Sequence, residues 1–147
     1  MRAFVACDGA DLDVLGYYYL NLTSYQIGRI DDKSDGKFGR VAAIPAVYLG
    51  MIGVHSDFQR SGIGKKLMHD AMLRTVQIAD NAGTYGLTLD ALDEKLVEYY
   101  SQFGFQVFRD PDKEKDGIEM YLPLKTIQSA IASWSQKLPA ASESFPI

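Results

Sequence analysis

The chain has 147 residues, 47% hydrophobic and 23% charged, with a net charge of −4. That is one domain's worth of chain with material for a real core, and no apolar run approaches the ~20 residues that span a bilayer. The single cysteine, Cys7, excludes an internal disulfide and a thiolate metal cage, so no metal is expected, and the acid excess argues against broad non-specific nucleic-acid binding.

Residues 2–7 alternate and predict a strand, with Cys7 as a small buried residue on it. The apolar part of this start is too short for a secretory signal, so the cytoplasm is the expected location. Asp8-Gly9-Ala10-Asp11 reads as a turn, and residues 12–23 form a Tyr-rich second strand that closes a hairpin. Tyr17, Tyr18 and Tyr19 in succession must face both sides of the sheet. From Gly28 to Gly39 the chain is polar, with Arg29, Lys33, Lys37 and Arg40 set among Asp31, Asp32 and Asp35. Composition makes this a solvated loop, with contact to a substrate as the alternative.

Pro45 is expected to start or edge the strand at 46–54, and Gly50 and Gly53 within it imply a bulge or a close approach to the backbone. After Gln59-Arg60-Ser61-Gly62-Ile63-Gly64 comes a helix whose apolar stripe is Ile63, Leu67, Ala71, Met72, Val76 and Ala79. Lys66, Asp70, Arg74 and Gln77 fall on its other face, and Asn81-Ala82-Gly83 is a stop of the glycine-cap type. Residues 85–91 predict another strand. Asp93 then caps a short helix running through Gln102, with Leu96 and Tyr100 on one face. Residues 103–108 turn into a strand, 110–117 form a charged loop, 118–122 a last strand, and Pro123 opens a helix over 124–137. The expected organisation is one domain over 1–137, a mobile tail over 138–147, and a mixed α/β fold.

Glycines in the first turn of a helix leave main-chain N–H groups uncovered, where the helix dipole adds positive potential; such a place holds an anion, most often a phosphate. A P-loop would need Gly at Gln59 and Ser or Thr at Lys66, and fails twice. A dinucleotide fingerprint needs a doubly wound chain, which the hairpins rule out.

Three pieces, in order and spacing, resemble the GNAT superfamily of acetyl-CoA-dependent N-acetyltransferases. Gln59-Arg60-Ser61-Gly62-Ile63-Gly64 is similar to its pyrophosphate motif, and the strand ending Gly50-Met51-Ile52-Gly53-Val54 to its acyl-binding strand. The segment from Asp93 through Tyr99-Tyr100 to Gly104-Phe105 is similar to its second motif, with Asp93 in place of the usual Asn. Together they cover about residues 12–122. The phrasing around 41–50, Asp90-Ala91-Leu92-Asp93 and the closing Tyr-Leu-Pro-Leu-Lys resembles the toxin-type branch, which acetylates the α-amino group of aminoacyl-tRNA and pairs with a ribbon-helix-helix antitoxin. The family usually opens with a strand and two helices that are missing here. A truncated chain, the 124–137 helix or a second subunit of a homodimer would account for the uncovered edge.

The resemblance implies a mixed, mostly antiparallel sheet with flanking helices, and acetyl-CoA as the cofactor. The main chain from Arg60 through Ser61, Gly62, Ile63 and Gly64 to Lys65 would cradle the pyrophosphate, flanked by Gln59, and Asp93, heading the second motif, would be a further cofactor contact. Ile52 and Val54 would pair with the pantetheine amides as an added strand does, and an N–H at Ile52 or Gly53 would hold the carbonyl oxygen as it gains charge. Tyr100 would protonate the departing sulfur. From pKa ~10 to a thiol near ~8.5 that transfer is uphill by about 2 kcal/mol, small against an enzymatic barrier. His55 and His69 are candidate bases by type only. An α-amine near pKa ~7.7–8 needs little help, which favours that acceptor over lysine. Arg29, Lys33, Lys37 and Arg40 are the concentrated source of substrate phosphate contacts. The competing readings are an acetyltransferase for a small amine or protein N-terminus, and a truncated, non-catalytic acyl-CoA-binding or interaction protein.

Overall fold

The computed structural model describes residues 1–30 and 43–137. In chain order the elements are β1 (Arg2–Cys7), β2 (Val14–Gln26), β3 (Ala43–Val54), a 3-10 turn (Ser56–Phe58), α1 (Ile63–Asn81), β4 (Gly86–Ala91), α2 (Glu94–Ser101), β5 (Gln106–Val107), β6 (Ile118–Pro123) and α3 (Leu124–Lys137). The strands form one sheet in the order β1-β2-β3-β4-β6-β5, antiparallel throughout except where β3 meets β4. This is the mixed fold that the residue patterns imply, with the mostly antiparallel sheet that the resemblance implies.

Strand alternation divides the side chains between two faces. Tyr18 and Leu20, Val47 and Leu49, Leu87 and Leu89, Met120 and Leu122 share one face. Against it α1 packs Leu67, Met68, Ala71 and Met72, α2 packs Tyr100, and α3 packs Ile127. The opposite face carries a smaller cluster of Tyr25, Ile30, Ile44, Ala46, Tyr85, Phe108 and Tyr121, and no described helix contributes to it. The Tyr17-Tyr18-Tyr19 run splits as strand geometry demands: Tyr18 is fully buried and its neighbours point the other way.

Several expectations are corrected. β2 runs from Val14 to Gln26 rather than over 12–23. β3 starts at Ala43, so Pro45 lies inside it, opposite Ser24; its missing N–H is tolerated because pairing with β4 begins only at Val47. The strand expected over 103–108 shrinks to Gln106–Val107. α1 does not end on a left-handed glycine: Ala82 is extended and donates its N–H to the Ile78 carbonyl at 2.8 Å, while Asn81 Nδ2 donates to the Gln77 carbonyl at 2.9 Å. Asp70 is not on a solvated face either. It is buried, accepting from the Tyr18 hydroxyl and from Arg74 Nε at 2.9 Å, with the Arg74 guanidinium 3.8 Å over the Phe4 ring. A helical carboxylate can face inward when donors from another element satisfy it. Lys33, Lys37, Arg40 and the tail 138–147 lie outside the described residues.

Candidate active site

The site begins where two strands part. β3 and β4 pair at Val47–Leu87, Tyr48–Thr88 and Leu49–Leu89, and the ladder then stops. Immediately beyond lies a bulge: Leu20 of β2 faces Leu49 and Tyr19 faces Met51, leaving Gly50 as the extra residue. Only glycine fits there, because a Cβ would come within 1.9 Å of the Tyr19 ring. From Met51 to Val54 the strand keeps β2 on one side and, among the described residues, has an open edge on the other.

Peptide planes alternate along a strand, so one hydrogen bond orients its neighbours. The His55 N–H donates to the Leu15 carbonyl of β2 at 2.8 Å, which turns the Val54 carbonyl toward the open edge. By alternation the N–H and carbonyl of Ile52 and the N–H of Val54 face that edge too, while those of Gly53 face β2. Ile52 and Val54 are therefore the residues able to pair with an extended amide chain. Of the two candidate N–H groups for the carbonyl oxygen, Ile52 points the right way and Gly53 does not. Gln59 Nε2 already donates to the Val54 carbonyl at 3.2 Å, tying the loop to the strand end.

The loop into α1 is built for a tight turn. Arg60 (φ 65°) and Gly62 (φ 88°) are both left-handed, the first at a cost an L-residue seldom bears. Gly62 is the N-cap with no side chain to cap the helix, and the first turn carries no acid but contains Lys65 and Lys66. Cations at a helix N-terminus are on the wrong end of the dipole. Uncapped amides, absent acids and added lysines together suit a bound anion.

Strand edge, loop and helix enclose a cavity of about 530 Å³ lined by Ile52, Val54, Gln59, Arg60, Gly62, Gly64, Lys65, Leu96, Tyr99 and Tyr100. Seven expected cofactor contacts, all within residues 52–65, thus share the cavity with Tyr100 of α2. Of the other four, Gly53 turns its α-carbon toward Tyr17, and the Ser61 hydroxyl bonds back to the Phe58 carbonyl. The Ile63 side chain lines a different hollow with Cys7 and Leu67, and Asp93 caps α2 by accepting from the Leu96 N–H at 2.9 Å. A larger groove of about 670 Å³ between β1, β2 and the far half of α1 contains none of these residues.

Tyr100 lines the cavity yet is only 7% exposed, packed against Tyr99 and Phe105. Burial, and then the neighbouring Tyr99, push its hydroxyl above the ordinary tyrosine range, so it stays protonated at neutral pH. A proton donor beside the cavity is what such an environment makes. Tyr99, next to it in the chain, also lines the cavity. It is 36% exposed and reaches over the helix start, where a Cβ on Gly64 would sit 3.4 Å from its hydroxyl. Leu96 and Tyr99, three apart on α2, are the cavity residues that the motifs alone leave out.

The other candidates lie elsewhere. His55 uses Nδ1 to accept from the Asp57 N–H, and His69 stacks on Trp134 with its pKa lowered by burial and by Lys65; neither lines the cavity. Arg29 pairs with the buried carboxylate of Glu119 and lies over Tyr25 and Phe108, so its guanidinium serves the second core cluster. Among the expected phosphate contacts, Arg29 is thus held in an ion pair, its side chain 23% exposed.

An open strand edge beside an uncapped, glycine-started helix, with a buried tyrosine across the gap, fits an enzyme that transfers an acyl group from a phosphate-bearing thioester. The family described as "Acetyltransferase (GNAT) domain" matches residues 30–124, and the chain belongs to it. Its members use acetyl-CoA, and a cradle lined by Gly62 and Gly64, free of any Cβ, fits that donor's pyrophosphate. The chain is 29% identical to "Probable toxin TacT" of Sinorhizobium fredii (strain NBRC 101917 / NGR234), over 88% of this chain and 72% of that protein. It is also 29% identical to the "tRNA-acetylating toxin" of Mycobacterium tuberculosis (strain ATCC 25618 / H37Rv), over 72% of this chain and 61% of that one. The solved structure "AtaT complexed with acetyl-methionyl-tRNAfMet" superposes with a TM-score of 0.76 at 27% identity, covering 88% of this chain and 75% of that one.

Proposed function

We propose that this acetyltransferase transfers acetyl from acetyl-CoA to the α-amino group of aminoacyl-tRNA, acting in the cytoplasm as the toxin of a toxin–antitoxin pair. The observation that carries the transfer chemistry is the shared cavity: anion-binding amides, open strand edge and protonated tyrosine meet in one place. Amides of Gly62 to Lys65 hold the pyrophosphate, with Arg60 and Lys65 at its rim. Ile52 and Val54 pair with the pantetheine amides, and the Ile52 N–H holds the thioester oxygen as it gains charge. Once the amine has attacked, its nitrogen gives up its surplus proton to solvent; as the carbon–sulfur bond breaks, Tyr100 gives its proton to the sulfur and recovers one from solvent.

The acceptor reading draws support from the likeness to tRNA-acetylating toxins and from the cavity itself. Among its described lining residues there is no histidine or carboxylate, which an α-amine near pKa ~7.7–8 tolerates and a lysine near ~10.4 does not. A ribbon-helix-helix antitoxin is the expected partner, and a homodimer the expected assembly. The test is acetyl transfer from labelled acetyl-CoA to total aminoacyl-tRNA, to deacylated tRNA, and to a panel of polyamines and peptides. Label confined to the aminoacylated pool is the expected result. Label only in polyamines or peptides, which the net charge of −4 would suit, replaces this acceptor with a small amine or an N-terminus.

A further inference from the structure

All three described helices cover one face of the sheet, and the cavity is lined from that side, which leaves the other face as the acceptor's approach to the fork. On that face, at the base of the fork, stand Tyr48 from β3 and Asp90 from β4. Tyr48 belongs to the next-to-last rung before the strands part, and Asp90 is the first β4 residue beyond the last rung. The Tyr48 hydroxyl donates to Asp90 Oδ2 at 2.7 Å, and Lys115 Nζ reaches the same oxygen at 2.9 Å while lying 3.6 Å from Glu119. Both partners fall on Oδ2; among the described residues none falls on Oδ1. The Asp90 side chain is 13% exposed, reachable from outside but shielded from free hydration.

We infer that Tyr48 and Asp90 form the subsite that receives and aims the acceptor's α-amine, an inference that rests on the amine-acceptor reading above. A neutral primary amine has two N–H donors and one lone pair. Asp90 Oδ1 takes one N–H. The Tyr48 oxygen, its own proton already committed to Asp90, takes the other, and the lone pair is left facing the fork. Lys115 matters to the charge. A bare carboxylate would favour the ammonium form and block attack, whereas a carboxylate paired with Lys115 accepts an N–H without holding a proton on the nitrogen. The carboxylate at Glu119 is itself balanced by Arg29 and Lys115, so the face as a whole does not trap the cation.

The experiment is steady-state kinetics with the aminoacyl-tRNA that gives the highest wild-type rate, comparing wild type with Asp90→Asn and Tyr48→Phe. Each variant should raise KM for the acceptor at least tenfold, leave KM for acetyl-CoA within twofold, and leave the melting temperature within a few degrees. The double variant should lose less than the product of the two, since both residues hold one nitrogen. Tyr48→Phe keeps the ring and removes one oxygen, so it decides the matter if Asp90→Asn does not fold. Acceptor KM within twofold in both variants, with the wild type active, overturns the subsite and leaves the function standing. A wild type that acetylates no aminoacyl-tRNA sinks the acceptor reading and the subsite with it.

Discussion

Tyr99 and Tyr100 line the same cavity one residue apart, and their burial assigns them different work. Tyr100→Phe should lower kcat about 10²–10³-fold with acetyl-CoA affinity within twofold, because the hydroxyl acts only as the sulfur departs. Tyr99→Phe should cost less than about threefold. The active form of Tyr100 is the protonated one, and its pKa is raised, so rising pH removes activity only above the ordinary tyrosine value of ~10. Between pH 6 and 9, kcat/KM should therefore climb with deprotonation of the amine at ~7.7–8 and then hold level. A fall before pH 9 would remove Tyr100 from this role. Arg29 makes a sharp contrast. Arg29→Ala leaves Glu119 buried with less compensation, and urea unfolding should show a loss of about 2–4 kcal/mol with acetyl-CoA binding intact.

At the scale of elements, the start of α1 trades its own stability for binding. Gly62 has φ 88° and open space around it, so Gly62→Ala should cost about 1–2 kcal/mol through backbone strain alone. Gly64 has an ordinary φ, and a Cβ there would meet only ordinary contacts. Gly64→Ala should therefore raise the melting temperature, by up to about 1 kcal/mol of stability, while weakening CoA at least tenfold by filling the cradle. Calorimetry and thermal melts on both variants separate the two effects; undiminished CoA binding by Gly64→Ala refutes the cradle. Free CoA at 100 times its Kd should stabilise the wild type by about 2.7 kcal/mol, roughly 5–10 °C for a chain of this size. Lys65→Glu should remove most of that shift.

For the molecule as a whole, a net charge of −4 means that RNA binding must come from local basic groups. With Arg29 engaged by Glu119, that leaves Lys33, Lys37 and Arg40 from the polar loop. Changing all three to Glu should weaken tRNA binding and flatten the slope of log K against log salt by roughly 2–3, with CoA affinity unchanged. An unaltered slope places the RNA contacts elsewhere.

What the sequence determined by itself is whatever depends on near neighbours. The α1 stripe, Gln59-Arg60-Ser61-Gly62-Ile63-Gly64 ahead of it, the Asp93 cap and the place of Tyr100 on α2 are all local, because helix periodicity, capping and left-handed turns are set within a few residues. Tertiary structure alone decided which way those residues face. Asp70 turns inward because Tyr18, 52 positions away, supplies a donor. Tyr99 turns outward over Gly64, and the Gly53 peptide groups face β2 because the ladder pairs Gly53 with Tyr17. The Tyr48–Asp90–Lys115 cluster has no linear signature, since its members come from β3, β4 and the loop before β6. A partner from a distant strand is fixed by sheet register, and register is settled only when the whole sheet has formed.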